Sequence, residues 1–319
     1  MSCASTVAKV HNLAAAHQIT CLRVMHRGEV VIAAGPQTTP FPLSSIRKSI
    51  VSALIGSPIE RGLLGLDSTL ADLDIDDSPG LTPIERSATV AHLLTSSSGV
   101  YLPLAFESSY DIFHNSPTNW PDRGSAAPGT QFHYSNWDFN VLGEVYQRAT
   151  GTALFLAIDR LLAEPLGFED WNPLRHSRLR YSYDPLGATP RYPNYEIQLS
   201  ARDLARFGQM YLCDGMWHGQ QLVPRRWVEL STCSLVETGL PKPFAHYGYL
   251  WWTTDGDDGS ALPGGSYSAV GLGGKVLAVV PADDLVIVAL CAPGDGGKAQ
   301  VGLPDDIVVA VRECLAAPE

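Results

Sequence analysis

Strand-like apolar runs stand at the two ends of this chain and not in its middle, and that distribution constrains the fold most. Ile19–His26 and Glu29–Ala34 are separated by Arg27-Gly28, a tight-turn pair, so together they predict a hairpin. Toward the other end Tyr247–Thr253, Gly274–Val280 and Leu285–Cys291 are further strand candidates. A helix over Ser5–His17 precedes the first strand, and one over about Asp305–Leu315 follows the last. Between about Asp67 and Asp184, helical segments alternate with loops rich in Pro, Gly and Ser. The best formed is Asn136–Thr150, with Ser135 or Asn136 as its cap and Gly151 closing it. Ser200–Leu212 is amphipathic, with Leu204, Phe207 and Tyr211 on one side, and Pro224 starts a short helix through Leu230. No internal repeat is visible. Strands from both ends then share one antiparallel sheet, giving an α/β protein of the α+β type. The sheet domain comprises residues 1–66 and 185–319, flanked by the terminal helices. Residues 67–184 form an inserted, mostly helical domain, and the cleft between the two is where a small-molecule site is expected.

Composition removes several function classes. The chain has 319 residues, 45% hydrophobic and 17% charged, which is enough apolar side chain for a substantial core. Its formal charge of −11 comes without a basic block, so no nucleic-acid partner is expected. The longest apolar run, Leu285–Ala292, is far short of the roughly 20 residues that span a bilayer. The opening MSCASTVAKVHNLAAAHQ lacks the compact apolar segment of a signal peptide and reads as a helix, so a cytoplasmic protein without a membrane partner is expected. In that compartment the six cysteines are expected as free thiols. They form no CxxC pair, and the nine histidines form no HxxxH or HExxH pair, so no metal is expected. GxGxxG and GxxxxGK[ST] are missing, so no cofactor is expected either, and without GxSxG the α/β-hydrolase fold loses its usual signature.

Chemistry enters at the helix beginning near Ser44, whose residues Ile46, Ile50 and Leu54 recur at helical spacing. Ser45, Lys48, Ser49 and Ser52 share a different face, and positions i and i+3 lie one turn apart, so the Lys48 amine reaches toward the Ser45 hydroxyl. A serine is a poor nucleophile until a base takes its proton, and a lysine serves only when its surroundings favour the neutral amine. A helix N-terminus also favours a developing oxyanion. Ser44 is not equivalent, because Arg47, three residues on, does not deprotonate. Ser-x-x-Lys alone arises by chance in many chains of this length, where it is a capping serine and a surface lysine.

Context changes that reading. SIRKSIVSALIGSPIERGLLGLD (Ser45–Asp67) closely resembles the segment around the active serine in class C β-lactamases and their relatives in the serine β-lactamase-like superfamily: D,D-peptidases, esterases, amide hydrolases and acyltransferases. ATVAHLLTSSSGV (Ala88–Val100), PGTQFHYSN (Pro128–Asn136) with NVLGEVYQRATG after it, LSARDLARFGQMYL (Leu199–Leu212) and SYSAVGLGGKVLAVVPADDLVIVAL (Ser266–Leu290) resemble further family segments in the family's order. The likeness runs from about Ile19 to Leu315. It implies a β-lactamase/transpeptidase-like fold with Ser45 as the acylated nucleophile and Lys48 and Tyr134 as the general-base pair, leaving open which of the two carries the proton. Asn136 is implied to aim its amide at the scissile group, or merely to cap its helix. The third family motif, Lys-Thr-Gly in penicillin-active members, aligns with Leu272-Gly273-Gly274. Leu272 supplies no cation, which argues against β-lactams and D-Ala-D-Ala carboxylates as substrates. The backbone N–H of Lys275 is expected to join that of Ser45 as the oxyanion hole, its side chain pointing away from Leu272 into solvent.

Tyr101, Trp120, Trp137, Trp251 and Trp252 are candidates for an acyl pocket or for core, and His114, His133 and His246 for its rim; DGDDG at Asp255–Gly259 reads as a turn. The expected function is hydrolysis of a small-molecule ester or amide through a Ser45 acyl-enzyme. The alternative is transfer of the acyl group to an amine or alcohol acceptor, and the remaining one is a catalytically silent scaffold.

Overall fold

The computed structural model describes residues 3–102, 120–181, 191–256, 260–292 and 302–316. Its helices are α1 (Cys3–Ala16), α2 (Arg47–Glu60), α3 (Val90–Leu94), α4 (Asn136–Thr150), α5 (Leu154–Ile158), α6 (Glu164–Leu166), α7 (Pro173–His176), α8 (Ala201–Leu212), α9 (Arg225–Ser231) and α10 (Asp305–Ala316). The strands are β1 (Cys21–His26), β2 (Glu29–Ala34), β3 (Phe41–Pro42), β4 (Ser177–Arg180), β5 (Asn194–Leu199), β6 (Met216–Trp217), β7 (Gln220–Gln221), β8 (Val236–Glu237), β9 (His246–Tyr247), β10 (Trp252–Thr253), β11 (Tyr267–Gly271), β12 (Lys275–Val280) and β13 (Leu285–Leu290). The expected joining of the two chain ends is present. Among the described residues an eight-stranded sheet runs β2-β1-β13-β12-β11-β10-β9-β8, with β1 antiparallel to β13 from Cys21↔Leu290 to His26↔Leu285.

Strands β12 and β13 are buried along their whole length, because both faces of the sheet are covered. The two-residue period of a strand sorts their side chains into separate cores. Val276, Ala278, Val280, Leu285, Ile287 and Ala289 face Val10 and Ala14 of α1 and Val308 and Val311 of α10. Leu277, Val279, Val286, Val288 and Leu290 face Leu204, Phe207, Met210 and Tyr211 of α8, in a core that continues into α2 and α4. Helix α8 begins where predicted, the Ser200 hydroxyl accepting from the Asp203 N–H, and it sits close to the sheet over Gly208.

One predicted element differs. Tyr247–Thr253 is not one strand. It is the hairpin β9–β10, with Trp252↔Tyr247 and Thr253↔His246 paired, and Leu250 in its turn at φ +66°. The reversal is held by α2, where the Ser49 and Ser52 hydroxyls donate to the Leu250 and Tyr249 carbonyls, both at 2.7 Å. Aromatic strand propensity over the whole segment conceals that turn. The loop between Leu272 and Gly274, aligned to a family motif, is the turn joining β11 to β12, with Gly273 at φ +83° and Gly274 at φ +72°.

Candidate active site

The chain enters α2 through a 3-10 turn, Ser44–Ile46, so Ser45 lies just ahead of the α-helix. The Leu43 N–H donates to the Ile197 carbonyl of β5 at 2.9 Å, and Ile46 is fully buried beneath, which fixes the turn from both sides. Ser44 adopts φ +51°, uncommon for a residue with a Cβ and found where neighbours over-determine the backbone. Ser45 is half-buried. One turn on, Lys48 is 1% exposed, so its ammonium is an interior group.

That ammonium donates to the Tyr134 hydroxyl at 2.7 Å, joining two residues 86 positions apart. It also lies 4.0 Å from the centroids of both the Tyr134 and the Phe139 rings, a double cation–π contact. Phe139, on the first turn of α4, had no separate signal in the sequence beyond an apolar position on a helix. Tyr134 stacks on Trp252 at 5.5 Å between centroids and meets Tyr247 edge-on at 6.3 Å. Burial pushes the Tyr247 hydroxyl well above the ordinary tyrosine pKa, with neighbouring Tyr134 acting the same way, so Tyr247 stays neutral.

Ser96 holds the Tyr134 segment in place. The His133 N–H donates to the Ser96 carbonyl at 2.8 Å. The Ser96 hydroxyl donates to the His133 carbonyl at 2.8 Å and accepts from the Ser135 N–H at 3.0 Å. Ser135 occupies the cap position of α4 without a side-chain cap bond, and half-buried Asn136 is the first residue of the helix. Sequence reasoning had Ser96 only as part of a family segment; its role needs the contact with residues 133–135.

The third wall is the end of β11. Its neighbour β10 pairs only with Tyr267 and Ser268, so among the described residues no strand covers the outer edge of Ala269–Gly271, and the Ser44–Ile46 turn packs there instead. A Cβ on Gly271 would lie 2.4 Å from the Leu43 carbonyl oxygen and 3.3 Å from Ser44 Cβ, so this approach requires glycine. The Ser44 hydroxyl donates to the Leu272 carbonyl at 3.3 Å, and the Leu272 side chain is 48% exposed. Gly274 is fitted against Cys291, whose thiol donates to the Gly274 carbonyl at 3.2 Å. Lys275 departs from expectation: it is 6% exposed, not solvated, and its ammonium folds back to donate to the Leu272 carbonyl at 2.8 Å. A strand's alternation predicts the side on which a residue starts, but a four-carbon chain beside a glycine turn folds back under it. Burial lowers its pKa, with the Cys291 thiol opposing that shift.

The remaining candidates separate. Trp137 and Trp251 are core, the Trp137 indole N–H donating to Asp77 at 2.8 Å. Trp252 belongs to the wall behind Tyr134. His133 sits edge-on between Tyr101 and Trp120, beside Tyr134 in sequence. His246 pairs with Asp255 at 3.1 Å; residues 257–259 of the DGDDG stretch, and His114, lie outside the described residues. Among the described residues no cluster of His, Cys, Asp or Glu is arranged to hold a metal, and no helix is long and apolar enough to cross a membrane.

The family model described as Beta-lactamase matches residues 9–310. The 6-aminohexanoate-dimer hydrolase of Paenarthrobacter ureafaciens is 28% identical over 203 residues, covering 61% of this chain and 48% of that protein. Esterase EstB of Burkholderia gladioli is 33% identical over 151 residues, covering 42% of this chain and 38% of that one. Each of those two matches therefore spans about half or less of the relative. The structure of EstCE1, described as a hydrolase with promiscuous acyltransferase activity, superimposes with a TM-score of 0.67 at 19% identity, covering 97% of this chain and 98% of that one.

Proposed function

The chain belongs to the β-lactamase family, and because the proteins it resembles are named a dimer hydrolase, an esterase and a hydrolase with promiscuous acyltransferase activity, we propose that it cleaves a small-molecule ester or amide through an acyl-enzyme on Ser45. The observation that carries this reading is the 2.7 Å hydrogen bond from Lys48 to Tyr134, one helical turn beyond Ser45. In the first step the Ser45 hydroxyl attacks the substrate carbonyl while the Lys48–Tyr134 pair, which holds one proton fewer than an ammonium beside a phenol, takes its proton. The pair then returns the proton to the departing alcohol or amine, and a water molecule, activated the same way, releases the acid. Hydrogen-bonded to each other at 2.7 Å, the two side chains act as one base in this reading. Asn136 orients the scissile group from the start of α4.

The developing oxyanion requires two main-chain donors. Ser45 N–H is one. Strand β12 is flanked by β11 and β13, so Lys275 N–H points along the sheet toward a neighbouring strand. The free edge beside Ser44 belongs to β11, and we therefore assign the second donor to Leu272 N–H, where the chain leaves that edge. Residues 269–271 carry no cation, and Leu272 offers an apolar lip, which supports esters or uncharged amides over β-lactams. The domain reading goes with this: residues 67–184 supply Tyr134 and Asn136, and residues 1–66 and 185–319 supply Ser45, Lys48 and the β11 edge.

Acyl transfer is the second reading, favoured by the aromatic enclosure of Tyr134 by Trp252, Phe139 and Tyr247, which limits water around the base. We place the enzyme in the cytoplasm with a small molecule as its partner, and an amine or alcohol as a second one if transfer dominates. The test is the product distribution from methyl and p-nitrophenyl esters, with and without a panel of amines and alcohols, and from a cephalosporin, all against Ser45→Ala. Free acid insensitive to acceptor is the expected outcome, with the cephalosporin turned over poorly. New amide or ester in excess of acid moves the assignment to a transacylase. Turnover that survives in Ser45→Ala overturns the mechanism.

A further inference from the structure

Lys275 is a buried ammonium that the chemistry above does not use. Among the described residues no carboxylate pairs with it: its hydrogen-bond partner is the Leu272 carbonyl at 2.8 Å, and the titratable group beside it is the Cys291 thiol. Burying a cation without a counter-charge is costly, and an apolar side chain of the same length would fill the space without that cost. The carbonyl it holds has a second donor. The Ser44 hydroxyl, adjacent in sequence to the proposed nucleophile, donates to the same Leu272 oxygen at 3.3 Å. Leu272 otherwise belongs to a turn containing two consecutive glycines at positive φ, the sort of backbone that samples several peptide orientations unless it is tied down. Cys291 ties the far side of that turn through the Gly274 carbonyl.

We propose that Lys275 is a positioning residue for the oxyanion site: together with Ser44 it clamps the Leu272 carbonyl and so fixes the β11–β12 turn against the nucleophile. The inference rests on the acyl-enzyme reading above and adds to it a role for a side chain outside the Ser45–Lys48–Tyr134 set. Fixing the carbonyl of Leu272 fixes the residue whose N–H faces the reacting carbonyl. The benefit falls on the tetrahedral transition state, whose oxyanion needs donors already in place, and not on the planar ester of the ground state.

The test uses the full chain and a p-nitrophenyl ester, with phenylboronic acid as a probe that adds to the serine hydroxyl as a tetrahedral boronate. Lys275→Met is expected to lower kcat by about 10–100-fold, the scale of a displaced oxyanion donor, with KM within about twofold. Inhibition by phenylboronic acid is expected to weaken in step with kcat/KM, and Lys275→Arg to recover part of kcat. A Lys275→Met enzyme with wild-type kcat, or one whose loss lies in KM alone, overturns the proposal. Should circular dichroism show Lys275→Met unfolded, Ser44→Gly decides: it removes the other donor to the same carbonyl while suiting the positive φ. A several-fold fall in kcat at constant KM supports the clamp, and an unchanged kcat overturns it. Ser45→Ala separates the two levels. If it abolishes turnover while Lys275→Met is normal, the clamp falls and the acyl-enzyme stands; if Ser45→Ala keeps turnover, both fall.

Discussion

Tyr134 shows how much of a residue's chemistry comes from what surrounds it. A tyrosine ring whose oxygen is hydrogen-bonded to a lysine nitrogen, stacked on an indole and bordered by two further rings has little rotational freedom. Tyr134→Phe keeps the stacking and removes only the hydroxyl. It is expected to lower kcat for ester hydrolysis by at least about a hundredfold with little loss of thermal stability, as read by steady-state kinetics beside a melting curve. A near-normal rate removes Tyr134 from the base pair. Ser45, Lys48, Tyr134 and Asn136 were all legible in the sequence, because the family motifs that carry them are short and contiguous. Phe139, Ser96 and the interior position of Lys275 were not. Each depends on a partner distant in sequence, and none has a residue type or spacing that announces the contact.

At the scale of elements, the sheet and the helices over it were readable because each has a period. Alternation in β12 and β13 sends successive residues to opposite cores, and the apolar side of α8, anticipated from Leu204, Phe207 and Tyr211, is the side that meets the sheet. What periodicity omits is how closely two elements approach. A Cβ on Gly208 would lie 2.6 Å from Leu277 Cδ1 and 2.8 Å from Val286 Cγ1, so the helix sits as near the sheet as a glycine permits. Gly208→Val overpacks this contact and is expected to destabilise the protein by about 1–3 kcal/mol, read as a fall in urea midpoint at constant m-value. A midpoint equal to wild type shows that α8 shifts without cost. The β9–β10 hairpin marks the opposite failure of periodicity. Residues suited to strands flank a reversal that exists because Ser49 and Ser52 of α2 bind its carbonyls. Short strands such as β11, with a glycine at its end, carry too few alternating positions to be separated from a loop.

Across the whole molecule, the proposed inserted segment is braced by a buried carboxylate. Glu85 is 2% exposed and receives two charge-assisted bonds from Arg123, at 2.7 and 2.6 Å, and one from the Thr82 N–H at 2.7 Å. Burial alone raises its pKa, but the Arg123 and Thr82 donors outweigh that and leave it below the ordinary glutamate value. The native state therefore binds this proton less readily than the unfolded chain. The stability it contributes is present above the ordinary glutamate pKa and is lost as pH falls through the depressed native value. Arg123→Met is expected to be less stable than wild type by about 1–3 kcal/mol at neutral pH. The gap is expected to narrow as pH falls below the ordinary glutamate range and Glu85 protonates, seen by comparing melting temperatures of the two proteins from neutral pH downward. A gap that stays constant with pH assigns the Arg123 contribution to packing instead.

By itself the sequence determined which residues are candidates for the chemistry and which elements carry periodicity: the Ser45–Lys48 turn, the Tyr134-x-Asn136 segment, the strands of both chain ends and their union in one sheet. These are local or family-wide regularities, written in adjacent residues and imposed by the geometry of helix and strand. Tertiary structure alone decided that β10 stops short and leaves the end of β11 to the Ser44–Ile46 turn, that Ser96 binds the Tyr134 segment, and that Lys275 is interior. Each of these is a contact between residues far apart in the chain, and its occurrence depends on which surfaces close packing brings together, which no local pattern encodes.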